Sequence, residues 1–511
     1  MDFLFDAKLQ RMCFRGSVFT LPFTVIPITL PLVNNKLPDF FLFIGIFLFI
    51  LKCLVKNVKF NKNEKIFLIF LIGSFLWVTI SAILGVIFYP YYSVINLLQM
   101  ENFKNFYDNL VSFSIYIDDL TAIKAWLLYK AIRYSFFYVL FSFAGVFWIY
   151  HLYKDNWQEG IHDLKNASIS ICIVLIIYST IEIGYLCGID FCKEILEKIN
   201  PLYMDIKSAH GWWPPLVWPQ LQLRSMFPEP SFLGIFLMMV IPFFAFAFYS
   251  EKILRKNIFL ILTYVCLIMM LVMSKARTGL LLFIGEFILI ISWSFAYHFY
   301  QWKKTLLLFA CTVLAFFIGL GLTSQFQVVN SCMTNAMRSV SVENYVNDNI
   351  KSAMGNSRSN NARRANVLAT IRTGLDNPMF GVGLTMRNEE VAAHLTDEEK
   401  HAREVTLWIT YMNEKGPLKS GFPILNHFSV VLAEQGIIGM ILFIIPYGYI
   451  YFLIVKRRNI LHDNRIACLC ISFTGLFTAL FSNSAKMELF IVMGLLLSVL
   501  LNYNKVGKNN E

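Results

Sequence analysis

Charge is scarce in this sequence. Asp, Glu, Lys and Arg together make up 15% of its 511 residues, against 57% hydrophobic residues. That balance excludes an ordinary soluble domain as the main body of the chain. Short segments of alternating polarity are missing too, which excludes a membrane β-barrel. No internal repeat stands out, which leaves out a repeat array, and no low-complexity tract appears. The ten cysteines show neither a disulfide framework nor zinc-ligand spacing. Most of them, such as Cys13, Cys172, Cys266 and Cys468, sit in apolar runs as small apolar side chains. Cys187, Cys192 and Cys332 are the ones expected to reach an oxidising side. Residues 1–16 are polar and basic, and the apolar stretch after them lacks a small-residue cleavage site, so no removable signal peptide is expected.

What the sequence has is continuous apolar stretch. Runs of 16 or more such residues recur along nearly the whole chain, and each can cross a hydrocarbon layer ~30 Å thick as a helix. About twelve spans are predicted: 17–33, 40–55, 66–89, 133–152, 167–188, 231–250, 258–273, 279–300, 305–323, 427–454, 466–484 and 488–503. The expected class is an all-α polytopic membrane protein. Its parts are helices 1–9 within residues 1–323, a large loop at 324–426, and helices 10–12 with a tail at 427–511. Shorter loops are expected at about 90–132 and 189–230.

The basic residues sort by side. With the N-terminus inside, the cytoplasmic segments hold groups such as Lys8, Arg11 and Arg15, Lys56 to Lys65, Lys252 to Lys256, and Lys456 to Arg465. The short loops opposite hold only Lys36, Lys275, Arg277 and Lys486. This bias predicts that both termini face the cytoplasm. The net charge of +11 is spread through short loops, so it reads as a topology signal and not as affinity for nucleic acid. The two cations of "SKARTG" then stand on the side where cations need a reason.

Three longer loops share that side. One carries "MENFKNFYDNL", an amphipathic stretch expected to lie along the interface. A loop as long as 324–426 is unusual unless it works. Its "NNARRANVLATIRTGL" reads as a helix with Val367, Leu368, Ile371 and Leu375 on one face, stopped by Gly374, Asn377 and Pro378. Four segments put charge beside a membrane edge: "RSMFPEPSFLG" with Arg224 and Glu229, "SKARTG" with Lys275 and Arg277, "NARRANVL" with Arg363 and Arg364, and "PILNHFSVVLAEQGIIG" with His427. Glu229 before Pro230 also suits a capped helix start. Guanidinium forks match phosphate oxygens, so arginines meeting at a membrane surface point to a lipid-linked phosphate or diphosphate. A histidine beside them can take a proton. No Asp-x-Asp pair stands at a predicted external edge to hold a divalent metal. Arginines are expected in its place, with no metal and no cofactor.

Other residues carry weaker signals. Trp212, Trp213 and Trp218 in "GWWPPLVWP" read as interface anchors, with sugar stacking as the alternative. Glu182, Glu286 and Glu434 fall in or near spans. Glu434 lies two helical turns after His427 on nearly the same face, and it and Glu286 are read as structural partners inside the bundle. Pro242 is expected to kink its span.

The stretches "SKARTGLLLF", "NPMFGVGL" and "LNHFSVVLAEQGIIGMILF", in that order around a large external loop, resemble the bacterial O-antigen polymerase (Wzy-type) and O-antigen ligase superfamily of membrane glycosyltransferases. "RSMFPEPSFLG" is more similar to the polymerase side of it. The resemblance covers mainly residues 220–450. It implies a GT-C-like bundle and metal-independent transfer of glycan from an undecaprenyl-diphosphate carrier at the outer face of the bacterial cytoplasmic (inner) membrane. It implies Arg277 and Arg363 as diphosphate contacts, with Arg364, Arg224 and Lys275 as further candidates, and His427 as the group that activates the acceptor hydroxyl. Glu229 is the other candidate base.

The leading expectation is a polymerase that joins lipid-linked repeat units of an O-antigen or capsule-type polysaccharide. A ligase transferring glycan to lipid A–core or to protein is the nearest alternative, and a flippase for the same carrier is the rival from another class. The partners implied are a lipid-linked donor and acceptor, membrane lipid, a chain-length regulator and a flippase, and no nucleic acid.

Overall fold

A computed structural model describes residues 6–30, 32–56, 58–95, 101–206, 214–218, 220–249, 255–326 and 358–506. Trp212, Trp213, Cys332 and the first part of the long loop lie outside the described residues. The chain is all-helical there. In order come α1 Ala7–Phe19, α2 Leu37–Val55, α3 Lys62–Ile87, α4 Glu101–Ser112 and α5 Asp119–Val139. A π-helical turn, Leu140–Ala144, joins α5 to α6 Gly145–Tyr153. There follow α7 Trp157–Leu186, α8 Asp190–Tyr203, α9 Pro230–Ala245, α10 Arg255–Ser274, α11 Arg277–Tyr297 and α12 Trp302–Ser324. The long loop holds α13 Arg358–Asp376, α14 Asn388–Ala393, α15 Asp397–Lys400 and α16 Arg403–Lys415. The chain closes with α17 His427–Lys456, α18 Asn464–Ala479 and α19 Met487–Val506.

Among the described residues nine helices are long and apolar enough to cross a membrane, and Asn464–Ala479 and Met487–Tyr503 are shorter apolar helices. These eleven fall on eleven of the expected spans. The fold is that of a polytopic membrane protein, as expected. The exception is the span expected at 17–33. α1 has 13 residues, about 20 Å at 1.5 Å per residue, too short to cross alone. It stops at Phe19 because Pro22 and Pro27 cannot continue the ladder. Irregular chain then runs to Leu37. Its backbone groups are met by Ile26 N donating to Asn35 O at 2.9 Å and Asp205 N donating to Val25 O at 2.9 Å. Non-helical backbone is tolerated at membrane depth where it is covered by protein or lines a cavity, and this segment does line one.

The span expected at 133–152 is likewise corrected. Its helix starts at Asp119, where Asp118 caps it by accepting from Thr121 N at 3.0 Å. The stretch 119–132 is therefore helix in register with the span and not loop.

α9 forms the centre. Nearly all its side chains are buried, and α10, α11 and α18 pack around it. It crosses α11 at Gly234 and Gly279, where a Cβ on Gly279 would stand 3.0 Å from the Gly234 Cα. Two small residues at one crossing let the backbones touch, the usual device between helices in lipid. The crossing also ties the "FPEPSFLG" and "SKARTG" segments together, and Leu223 N donates to Met273 O at 3.0 Å beside it.

In α13 the face that packs is not the one expected. Ala362, Ala365, Asn366, Ala369 and Thr373 are buried against the rest of the loop and α17, whereas Leu375 is 60% exposed. Small side chains let α13 lie close on α17, with a Cβ on Gly374 reaching 2.7 Å from Leu432. Close approach outweighs the larger apolar stripe. Arg363 and Arg364 consequently point away into solvent.

Candidate functional site

A cavity of about 810 Å³ opens between the irregular segment after α1, the start of α2, α5 with its π-turn, α9, the loop residues Leu384 and Thr385, the first turns of α17, and residues 484–490. Phe137, Phe141, Phe227, Phe232 and Phe490 give it apolar walls, while Lys36, Asp39, Tyr134, Tyr138, His427, Glu434, Lys486 and Glu488 supply polar groups. An apolar pocket with a few convergent polar groups is the form a ligand site takes. The π-turn puts Phe141 and Ser142 on this wall; such turns are frequent at functional sites.

His427 reaches the cavity because α17 starts there. Asn426 caps the helix by accepting from Ser429 N at 3.0 Å, and His427 N donates to Leu480 O at 2.8 Å. The imidazole packs 4.9 Å from the Phe443 ring. Both of its ring nitrogens are buried without a hydrogen-bond partner, and so is Thr24 Oγ1 on the same wall. Buried polar atoms are nearly always bonded, so orphans gathered on one cavity mark a place for a ligand.

Below His427 the helix is broken. Gly436 has φ 68° and ψ −170°, a conformation open essentially to glycine alone. The carbonyls released around the break are taken up from outside the helix. Val382 N donates to Ala433 O at 2.8 Å, Gly383 N to Glu434 O at 3.0 Å, and Trp77 Nε1 to Gln435 O at 3.0 Å. The "NPMFGVG" segment is thus a strap clamped on the break. It delivers Thr385 and Arg387 to Glu434, whose Oε1 accepts from Thr385 N at 3.2 Å and lies 3.4 Å from Arg387 Nε. Arg387 Nη2 also donates to Phe422 O at 2.6 Å, while its Nη1 is buried and unbonded.

The other expected site residues fall in different places. Glu229 precedes α9, where its carboxylate accepts from the Ser231 hydroxyl at 2.8 Å and not from the helix amides. Arg224 is 1% exposed and turned into the protein. Its Nη2 donates to Leu216 O at 3.1 Å and its guanidinium lies 5.9 Å from the Trp218 ring, which is itself buried. Glu182 supports the same turn, accepting from Arg224 N at 3.3 Å and Ser225 N at 2.7 Å. Lys275 takes a positive φ of 49° in the α10–α11 turn, and Arg277 opens α11, half-buried. Glu286 is buried against Gly475 of α18. Of the residues singled out, the structure brings His427 and Glu434 together on the cavity. Arg224, Lys275, Arg277, Arg363, Arg364 and Glu229 are not part of its wall.

Several groups on that wall escaped sequence reasoning. In the sequence Lys36 and Lys486 serve only to assign sides, and Asp39 and Tyr138 carry no signal; nor does Arg387, which holds Glu434 without lining the cavity. The cue available was that Lys36 and Lys486 are the other two cations in the short loops expected to face outward. Lys36 Nζ lies 3.9 Å from Asp39. Lys486 Nζ sits 3.6 Å from the Phe232 ring centroid. Burial pulls its ammonium down to about 8, with Glu488 and Glu229 opposing and Lys36 adding to the effect.

No curated protein and no solved structure matches the chain. Residues 262–444 match the model of a family described as O-antigen ligase. The matched stretch runs from α10 through "SKARTG", α13 and the strap to His427, Glu434 and Gly436, and it bears out the resemblance of those motifs to the O-antigen polymerase and ligase superfamily.

Proposed function

We propose that this protein is a polymerase joining undecaprenyl-diphosphate-linked repeat units, and that transfer takes place in the cavity holding His427. The observation that carries this reading is the orphaned imidazole. Both ring nitrogens are buried without a partner, in a side chain of the matched stretch that lines a mixed apolar and charged cavity. In this reading the acceptor sugar hydroxyl gives its proton to an imidazole nitrogen as its oxygen attacks the anomeric carbon. The bond from that carbon to the phosphate oxygen breaks, and the electron pair leaves with the lipid diphosphate. The imidazolium then returns its proton to water. General-base help of this kind contributes roughly 10²–10⁴-fold.

Glu434, held by Arg387 and Thr385, keeps the first turns of α17 in place beneath the imidazole. Arg277, at the start of α11 next to the "FPEPSFLG" segment, stays in the reading as a contact for the diphosphate at the rim. Arg224 enters it as a brace, because its guanidinium is taken up by Leu216 and Trp218. The apolar walls suit the first isoprene units of a polyprenyl tail, and in this reading the cavity opens toward the outer face of the cytoplasmic membrane.

A ligase is the second reading, favoured by the description of the matched family. A gel of surface polysaccharide from a deletion strain separates the two. A missing polymerase leaves single repeats attached to the carrier sugar or lipid; a missing ligase leaves none attached, long or short. Elongation of a defined lipid-linked repeat by the purified protein tests the enzyme itself, and no product longer than the input repeat would end the polymerase reading.

A further inference from the structure

Of the charges around the cavity, Lys486 and Glu488 have no ion pair among the described residues, whereas the others are held. Lys36 has Asp39 at 3.9 Å, Glu434 has Arg387 at 3.4 Å, and Glu229 accepts from Ser231 at 2.8 Å. Lys486 forms no hydrogen bond or ion pair among the described residues; its ammonium sits over the Phe232 ring, 3.6 Å from the centroid. A cation held in apolar surroundings without a counter-ion is costly. A phenyl face recovers only part of that cost, roughly 0.5–2 kcal/mol in general. The chain that leads to it is fixed at two successive carbonyls. Leu480 O receives His427 N, and Asn426 Nδ2 donates to Phe481 O at 3.2 Å. The Lys486 segment is therefore locked to the start of α17, and the ammonium and the imidazole share one cavity.

We propose that Lys486 is a phosphate-binding residue of this cavity, its ammonium gripping the phosphoryl oxygens of the lipid diphosphate next to His427. The inference rests on the reading of the cavity as the site of a lipid-diphosphate reaction, and it adds to that reading a cation that the arginine assignment did not contain. The ligand brings anionic oxygens within bonding reach of the ammonium, which the carboxylates near it do not. Glu488 and Glu229 face Lys486 without bonding to it, Lys36 repels it, and Asp39 turns part of that repulsion away. His427, Glu434, Tyr134 and Tyr138 complete the titratable groups of the cavity. A lysine in this setting loses its charge within an accessible pH range, whereas an arginine does not. Binding through Lys486 therefore weakens as pH rises through and above about 8, and arginine at this position abolishes that dependence.

Purified full-length protein in detergent, titrated with undecaprenyl diphosphate at pH 7 and pH 9, tests this. The wild type is expected to bind more weakly at pH 9. Lys486→Gln is expected to lose tenfold or more in affinity at pH 7. Lys486→Arg is expected to bind at pH 7 and to show no loss at pH 9. A parallel titration with phosphatidylglycerol in vesicles separates a general anionic headgroup from the diphosphate, and equal effects of Lys486→Gln on both would overturn the assignment to diphosphate. Unchanged affinity in Lys486→Gln, or the same pH dependence in Lys486→Arg as in the wild type, would overturn the proposal. Lys486→Arg controls for folding because it keeps the charge and the cation–ring contact. The readout is binding and not transfer: a protein that grips the lipid through Lys486 but extends no chain keeps this inference while the polymerase reading falls.

Discussion

The indole nitrogen of Trp77 donates to the carbonyl oxygen of Gln435 over 3.0 Å, joining α3 to the break in α17. One residue later Gly436 turns to φ 68°, and Ile437 N donates to Pro378 O at 2.8 Å. A Cβ at 436 would stand 2.3 Å from Met379 O. Gly436→Ala is expected to cost about 2 kcal/mol or more. Thermal unfolding in detergent checks it: a melting temperature equal to wild type would mean that the strap and the break yield easily.

His427→Ala is expected to lower turnover by about 10²-fold or more while leaving carrier binding near wild type, because the imidazole is assigned to proton transfer. His427→Gln keeps a polar group of similar size and is expected to be equally poor. Initial rates of repeat joining, measured alongside lipid affinity, decide it. Unchanged turnover would reduce His427 to a helix-start residue.

Arg277 and Arg224 are expected to fail differently. Arg277→Ala should abolish chain extension while the protein still reaches the membrane at normal level. Arg224→Ala removes a fully buried guanidinium from Leu216 O and Trp218, and should lower folded yield first, by about 2–4 kcal/mol. Polymer gels paired with detergent size-exclusion profiles separate the two. Near-normal polymer from Arg277→Ala would remove it from the site.

Asp163 is the buried anchor of α1 on α7. It accepts from Arg11 Nε at 2.7 Å and Tyr153 Oη at 2.9 Å, and it also pairs with Arg15. Asp163→Asn leaves two partly exposed arginines around one neutral amide, of which Arg11 keeps Glu159, and is expected to cost about 1–3 kcal/mol. The loss should appear as reduced unfolding temperature. Since α1 leads into the irregular segment on the cavity wall, a change in lipid affinity should accompany it.

The ammonium of Lys486 also predicts how stability responds to pH. Its value falls from the ordinary 10.5 to about 8 on folding. Between those values the unfolded chain binds the proton and the folded protein does not, so unfolding takes up a proton and this lysine's contribution to stability rises with pH across that window. In Lys486→Met that rise should vanish. A wild type and a Lys486→Met protein with parallel stability curves from pH 7.5 to about 10 would show that the lysine is solvated after all.

How much of this was legible in advance follows from where each piece of information resides. Leu37–Val55 and the other spans were visible because apolar content over 20 residues is a local property, and lipid admits little besides a helix for such a run. His427 was visible because "LNHFSVV" is a cap followed by an apolar run. The broken first span could have been read from Pro22 and Pro27, which outweigh hydropathy once both fall within one crossing.

The site itself resisted such reading. Arg224 and Lys486 are each one cation beside a membrane edge, and nothing local distinguishes the one that turns inward to Leu216 from the one that faces the cavity. The difference lies in contacts that join distant parts of the chain: the strap at Val382 and Gly383 on α17, His427 on Leu480, Lys486 on Phe232. Composition and periodicity by themselves determined that this is a helical membrane protein with a few charges beside its apolar spans. Tertiary structure alone decided which of those charges meet, because a side chain's direction is set by packing against residues that the local pattern of the chain does not specify.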